Sequence, residues 1–171
     1  MDQWKKIQPE ELEKNAFQMI GKDWMLITAA KPDGTVNTMT ASWGGMGVIW
    51  GQPVVYLVIR PQRYTLEFVD AAEKLSITFF EETYRKALAH LGSVSGRDED
   101  KIQTAGLTVE MDGDVPYFRE ASLAFKCRKL YRQPMGSEFF MDPALAEKNY
   151  PEKDYHILFV AGIEEAMVRE A

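Results

Sequence analysis

The sequence predicts a mainly β domain with helices: an antiparallel, Greek-key-type barrel, closed or partly closed, under short covering helices. Three observations carry this. About seven runs have strand character, and several are joined by tight turns. The helical runs between them are short. Strands and helices do not alternate regularly, as a parallel βαβ sheet requires. With no internal repeat or linker-like stretch, residues 1–171 read as a single domain.

In chain order, Pro9-Glu10-Glu11 predicts a helix start, since proline suits a first turn and acids suit the positive end of the helix dipole. Leu12, Ala16, Met19 and Ile20 then share a face, and Gly21 fits a C-terminal cap. Residues 24–30 read as a strand. Lys31-Pro32-Asp33-Gly34 is a turn, because proline presets φ and Asp-Gly tolerates positive φ. The chain then returns over residues 35–43, making a hairpin. Residues 54–60 are nearly all apolar and predict a central strand buried on both faces. Thr65 is placed to cap a short helix, 75–80 form a strand, and 81–91 a helix that the glycines of 92–96 break. Asp98 is expected to cap another short helix. Asp112-Gly113-Asp114 joins two short strands, 121–131 is a long strand, Asp142-Pro143 opens a helix, and 156–168 is the last strand.

The charged fraction is 27%, the apolar fraction 46% and the net charge −6. An acidic chain is not a general nucleic-acid binder, although a local basic pocket remains possible. Cys127 is the only cysteine, so no intrachain disulfide forms, and it is expected to pack as a small apolar residue. No run is long enough to span a bilayer, and residues 1–6 lack the apolar core of a signal peptide. The expectation is a cytoplasmic chain with neither membrane nor nucleic-acid partners.

Familiar catalytic motifs fail on inspection. Gly45-Met46-Gly47 lacks the third glycine of a dinucleotide fingerprint, since Trp50 stands there. In Gly92-Ser93-Val94-Ser95-Gly96, Val94 occupies the nucleophile position of a GxSxG elbow. His90 and His156 have no metal-ligand spacing, and no metal site is expected.

What remains is the stretch Asn37-Thr38-Met39-Thr40-Ala41-Ser42-Trp43. It alternates small polar with apolar residues, as a half-buried strand does. Its small side chains leave backbone donors and acceptors open to a flat polar ligand. Gly44-Gly45-Met46-Gly47 follows and is expected to be a loop. Two cationic stretches with hydroxyls lie downstream: Arg60-Pro61-Gln62-Arg63-Tyr64-Thr65, and Ser93 to Lys101 with Ser95, Gly96 and Arg97. Arginine can fork two donors onto phosphate oxygens. An open edge beside cationic clusters suits a ligand with a planar head and an anionic tail.

Carrying these three stretches and a closing strand that begins Asp154-Tyr155-His156, the sequence resembles the flavin reductase-like family, and within it the flavoredoxin-like branch. The resemblance spans residues 15–165. It implies the FMN-binding split-barrel fold and FMN as cofactor. It sets the isoalloxazine against residues 37–43 and the phosphate near Arg60, Arg63, Thr65, Ser95 and Lys101, with Tyr64, Ser93, Gly96 and Arg97 close by. It also implies a homodimer with FMN at the interface. Two roles stay open: an oxidoreductase that passes electrons from NAD(P)H through FMN to free flavin, ferric iron or a protein, and an electron carrier that trades electrons with a partner protein. Neither requires a catalytic side chain, because the cofactor carries the chemistry.

Overall fold

The computed structural model describes residues 4–170. The expectation about residues 1–6 therefore falls partly outside the described residues. Strand β1 (Trp4–Ile7), which has no distinct signal in the sequence, comes first. The predicted helix after it is instead three short pieces: a 3-10 turn at Pro9–Glu11, α1 (Ala16–Gln18) and a π-type turn over Met19–Asp23. Asn15 starts α1, since its side chain accepts from the N–H groups of Phe17 and Gln18. Met19 and Ile20 are buried as expected.

β2 (Met25–Ala30) and β3 (Val36–Ala41) form the predicted hairpin. Gly34 takes φ 86° in its turn, and the Asp33 carboxylate accepts from the N–H and hydroxyl of Thr35 at 2.9 and 2.7 Å. β4 (Gly44–Ile49) overturns an expectation. The glycine-rich segment is a strand, paired antiparallel with β5 (Gln52–Ile59). The missing side chains are what permit it: at Gly44 φ is 142° and a Cβ would stand 2.5 Å from the Tyr56 carbonyl.

β5 is not buried on both faces, because Tyr56 and Val58 remain partly exposed. α2 (Thr65–Ala71), β6 (Lys74–Phe79), α3 (Arg85–Ser93) and α4 (Lys101–Thr104) follow. α3 runs through Gly92 rather than stopping before it. α4 is capped by Asp100, not Asp98, and α2 has no side-chain cap from Thr65. The hairpin of β7 (Val109–Asp112) and β8 (Val115–Phe118) turns at Gly113, where φ is 61°. The chain ends with β9 (Leu123–Pro134), α5 (Pro143–Asn149) and β10 (Ile157–Arg169). Asp142 caps α5 by accepting from Ala144 N–H.

The large sheet is antiparallel, in the order β3-β2-β6-β9-β10-β5-β4, with β1 paired to β10. β9 and β10 shift register between Val160 and Ala161 and again between Ile163 and Glu165. Such irregularities bend long strands and let a sheet curl. The two strands at the ends of the order, β3 and β4, are consecutive in the chain and joined by Ser42 and Trp43. The barrel is thus split along one seam, and the residues crossing it belong to the stretch singled out in the sequence.

The main core fills the curl: Ile27, Leu57, Ile59, Ile77, Phe125 and Phe159 are fully or almost fully buried, together with Leu66 and Phe68 of α2. Cys127 packs there, and burial pushes its thiol up, away from reactivity. A second cluster of Leu26, Leu88, Leu91 and Phe118 sits between the sheet and α3 with the β7–β8 hairpin. β2 lies between the clusters, so Leu26 and Ile27 feed opposite ones and all six of its residues are buried. Among the described residues no helix is long and apolar enough to cross a membrane.

Candidate functional site

A cavity of ≈ 320 Å³ opens at the seam. Met39, Thr40, Ala41, Ser42 and Trp43 line one side, Val58, Arg60 and His156 another, and Arg63 and Gly92 the third. Its size falls in the range of small-molecule sites. β3 has one strand neighbour, β2, so its outer backbone groups are not used in the sheet. This is the open edge the sequence suggested.

α3 packs onto that edge. Thr40 Oγ1 donates to the Leu88 carbonyl at 2.5 Å, and a Cβ on Gly92 would sit 3.1 Å from Thr40 Cβ. Glycine at this point lets helix and strand approach closely. The C-terminal carbonyls of α3 then collect cations, as the negative end of a helix does. Arg63 Nη1 donates to Gly92 O at 3.3 Å, and Lys101 Nζ donates to Leu91 O at 3.0 Å and Val94 O at 3.2 Å. Neither cation forms an ion pair with a carboxylate among the described residues. Burial lowers the pKa of both groups, and repulsion from Arg63 helps bring Lys101 down to about 8. The Glu99 carboxylate acts on Lys101 from a distance and pulls the other way, but it does not offset the burial. Two desolvated positive charges without a contact ion pair form a site for an anion.

Arg60 is occupied differently. It donates to Asp154 Oδ2 at 2.9 Å and to Asn149 O at 3.0 Å, and its guanidinium lies 4.9 Å from the centre of the Tyr150 ring. His156 is walled by Trp43, with ring centres 5.4 Å apart, and its Nδ1 lies 2.7 Å from the Tyr150 hydroxyl. Burial and the Arg60 charge push its pKa down to about 4, so the ring is neutral at pH 7.

The family model described as "Flavin reductase like domain" matches residues 18–171. The chain belongs to the flavin reductase-like family. No curated protein matches it in sequence. Among solved structures it is similar to an FMN-binding domain of a flavin reductases-like enzyme from Shewanella baltica (19% identity, 98% of this chain and 78% of that one, TM-score 0.69). Flavoredoxin of Desulfovibrio vulgaris (Miyazaki F) gives 21% identity over 86% of this chain and 69% of that one, with a TM-score of 0.66. Component B of nitrilotriacetate monooxygenase from Bacillus cereus gives 18% over 96% and 81%, with a TM-score of 0.68. At these identities the likeness establishes the split-barrel fold.

Of the sixteen residues this flavin reductase-like sequence suggested, the structure gathers seven around the seam: Met39 to Trp43, Arg60 and Arg63. Lys101 stands behind them on the same helix end as Arg63. The others are close but committed. Asn37 and Thr65 are buried together, with Asn37 Nδ2 donating to Thr65 Oγ1 at 3.0 Å; Thr65 is the first residue of α2, and Tyr64 holds the cap position. The Thr38 side chain lies in the core, 2.8 Å from the Thr28 hydroxyl and 3.0 Å from the Ile27 carbonyl. Gly96 packs against the Asn37 amide. Arg97 is paired with Glu67 at 3.1 Å and stacked 4.5 Å from the Tyr64 ring. Ser95 Oγ accepts from Arg97 N–H, and Ser93 Oγ donates to His90 O. Sequence reasoning missed Val58, Gly92 and His156 as cavity walls. The first looked like core, the second like a helix breaker, and His156 served only to mark the closing strand.

Proposed function

We propose that the chain binds FMN in the seam cavity and acts as an oxidoreductase, taking electrons from NAD(P)H and passing them to an acceptor such as free flavin, ferric iron or a protein. The observation that carries this is the pairing of half-buried Arg63 with buried Lys101, neither in a contact ion pair with a carboxylate among the described residues, beside an unpaired strand edge. The residues present fit the group. The backbone of Met39 to Trp43 offers alternating donors and acceptors to the rim of a polar ring. Trp43 and Val58 supply flat apolar contact. Arg63, with Lys101 behind it, supplies charge to a phosphate.

When bound, FMN supplies reversible hydride acceptance and one-electron release. The chain's own part is to hold, orient and shield. Arg63 and Lys101 recover interaction energy when an anion enters, because both are desolvated beforehand. Ser42 leaves the ring edge uncovered, and Trp43 limits water from one side. The chain also exposes Phe17, Trp43, Val48 and Trp50 on and around β4. Apolar surface of this kind suits coverage by a second copy, and the oligomeric state in solution tests that part.

The test is a visible spectrum of the purified protein, before and after anaerobic addition of NADH or NADPH. Flavin bands that bleach quickly support the oxidoreductase. Bands that persist until dithionite is added reassign the chain as a carrier. No bands, even after soaking in FMN, would sink the reading.

A further inference from the structure

We propose that Tyr150 is a positioning residue: its hydroxyl locks the His156 ring with Nδ1 as acceptor, so that Nε2–H is held as a donor toward a conjugated carbonyl oxygen of the ligand in the seam cavity. The ligand half of this statement rests on the cavity being the FMN site. The lock itself does not.

Tyr150 closes α5 and is 8% exposed, while His156 is 7% exposed. Their rings meet edge to face at 5.5 Å and 80°, and the hydroxyl lies 2.7 Å from Nδ1. The other side-chain contact of that hydroxyl is Met135 Sδ at 3.9 Å, and the His156 backbone N–H donates to its oxygen, which leaves the hydroxyl proton free to be given away. An imidazole nitrogen at the shorter distance is much the better acceptor, so the phenolic proton goes to Nδ1. A neutral ring that accepts at Nδ1 carries its own proton on Nε2. Nε2 has no hydrogen-bond partner among the described residues, yet it is not one of the orphan polar atoms sealed from solvent. His156 is part of the cavity wall, so the cavity is where a ligand would meet that N–H.

The surrounding charges keep the ring in this state. Arg60, at the end of β5, opposes a second proton on the ring. Asp154, on the approach to β10, favours one, but its carboxylate is already engaged by Arg60 at 2.9 Å and Gln62 at 2.8 Å. Burial adds to the Arg60 effect. Tyr150 keeps its own proton, because burial raises its pKa. A ligand presenting a donor here would meet N–H against N–H, whereas a conjugated carbonyl would be matched. FMN offers such oxygens on its ring, and a nicotinamide offers one on its carboxamide.

The test begins with long-range 15N–1H correlation spectra of the cofactor-free protein at neutral pH. The chain has two histidines, so a His90→Gln variant assigns the signals. His156 is expected to show a bare Nδ1 and a protonated Nε2, unchanged well into the acid range. Tyr150→Phe, which keeps the ring and loses the hydroxyl, is expected to populate both tautomers. A wild-type ring that is charged or protonated on Nδ1 overturns the lock, and so does a Tyr150→Phe spectrum identical to wild type. FMN is then added, followed by oxidised nicotinamide dinucleotide. A shift of the Nε2 proton with FMN makes the flavin carbonyl the acceptor, and a shift only at the second addition makes it the carboxamide. Bound FMN with no shift at either step overturns the recognition. Failure of FMN to bind at all sinks the reading of the cavity and removes the carbonyl partner with it, while the lock is still judged on the cofactor-free spectra.

Discussion

Arg63 and Lys101 hold the same end of one helix, Arg63 on Gly92 O and Lys101 on Leu91 O and Val94 O, and neither makes a contact ion pair among the described residues. Other arginines near the seam are neutralised, Arg60 by Asp154 and Arg97 by Glu67. This pair therefore keeps positive charge at the seam that no contact ion pair takes up.

Arg63→Ala is expected to weaken FMN binding by about 1.5–3 kcal/mol, the scale of a charge-assisted hydrogen bond. Quenching of flavin fluorescence during titration measures it. Unchanged affinity would remove Arg63 from the phosphate site.

Lys101 ties stability to pH. Its pKa falls from the ordinary 10.5 to about 8 on folding. Between those values the unfolded chain binds more protons than the native one, so this group makes unfolding harder as pH rises through the window. Below about 8 the penalty of burying the charge is fully present. Denaturant unfolding of the cofactor-free protein from pH 7 to 10.5, compared with Lys101→Met, should show that rise in wild type alone. Inorganic phosphate should reduce it by supplying a counter-charge in contact. Parallel profiles for the two proteins would show that Lys101 is not desolvated.

Gly96→Ala is expected to destabilise the fold by about 1–3 kcal/mol, the range for disturbing a buried hydrogen bond. A Cβ there would overlap the Asn37 amide, which Thr65 holds in place. Urea denaturation checks this. A neutral result would mean that the loop after α3 moves freely away from β3.

Ser42→Trp is expected to leave the fold intact, since Ser42 is exposed on the connection between β3 and β4, and to abolish flavin occupancy. Circular dichroism and the visible flavin band report the two halves. A folded variant with full occupancy would contradict the placement of the ring.

The sequence alone determined most of the β architecture, because strand period, turn residues and apolar runs are local signals. Lys31-Pro32-Asp33-Gly34 and Asp112-Gly113-Asp114 announced their hairpins, and the run from Asn37 to Trp43 marked the seam. Local signals failed where a partner decided the outcome. Gly44 to Gly47 looked like a loop because glycine has low strand propensity, yet β5 supplies the hydrogen bonds and crowding at Tyr56 O excludes a side chain. The β5 run looked doubly buried, but Tyr56 and Val58 are only partly covered among the described residues. Only tertiary structure could sort the cations. Arg60, Arg63, Arg97 and Lys101 look alike in sequence, and their difference lies in whether a distant carboxylate, Asp154 or Glu67, reaches them. It also joined His156 to Tyr150 and Trp43, because a cavity at a sheet seam is made of residues that only the curling of the sheet brings together.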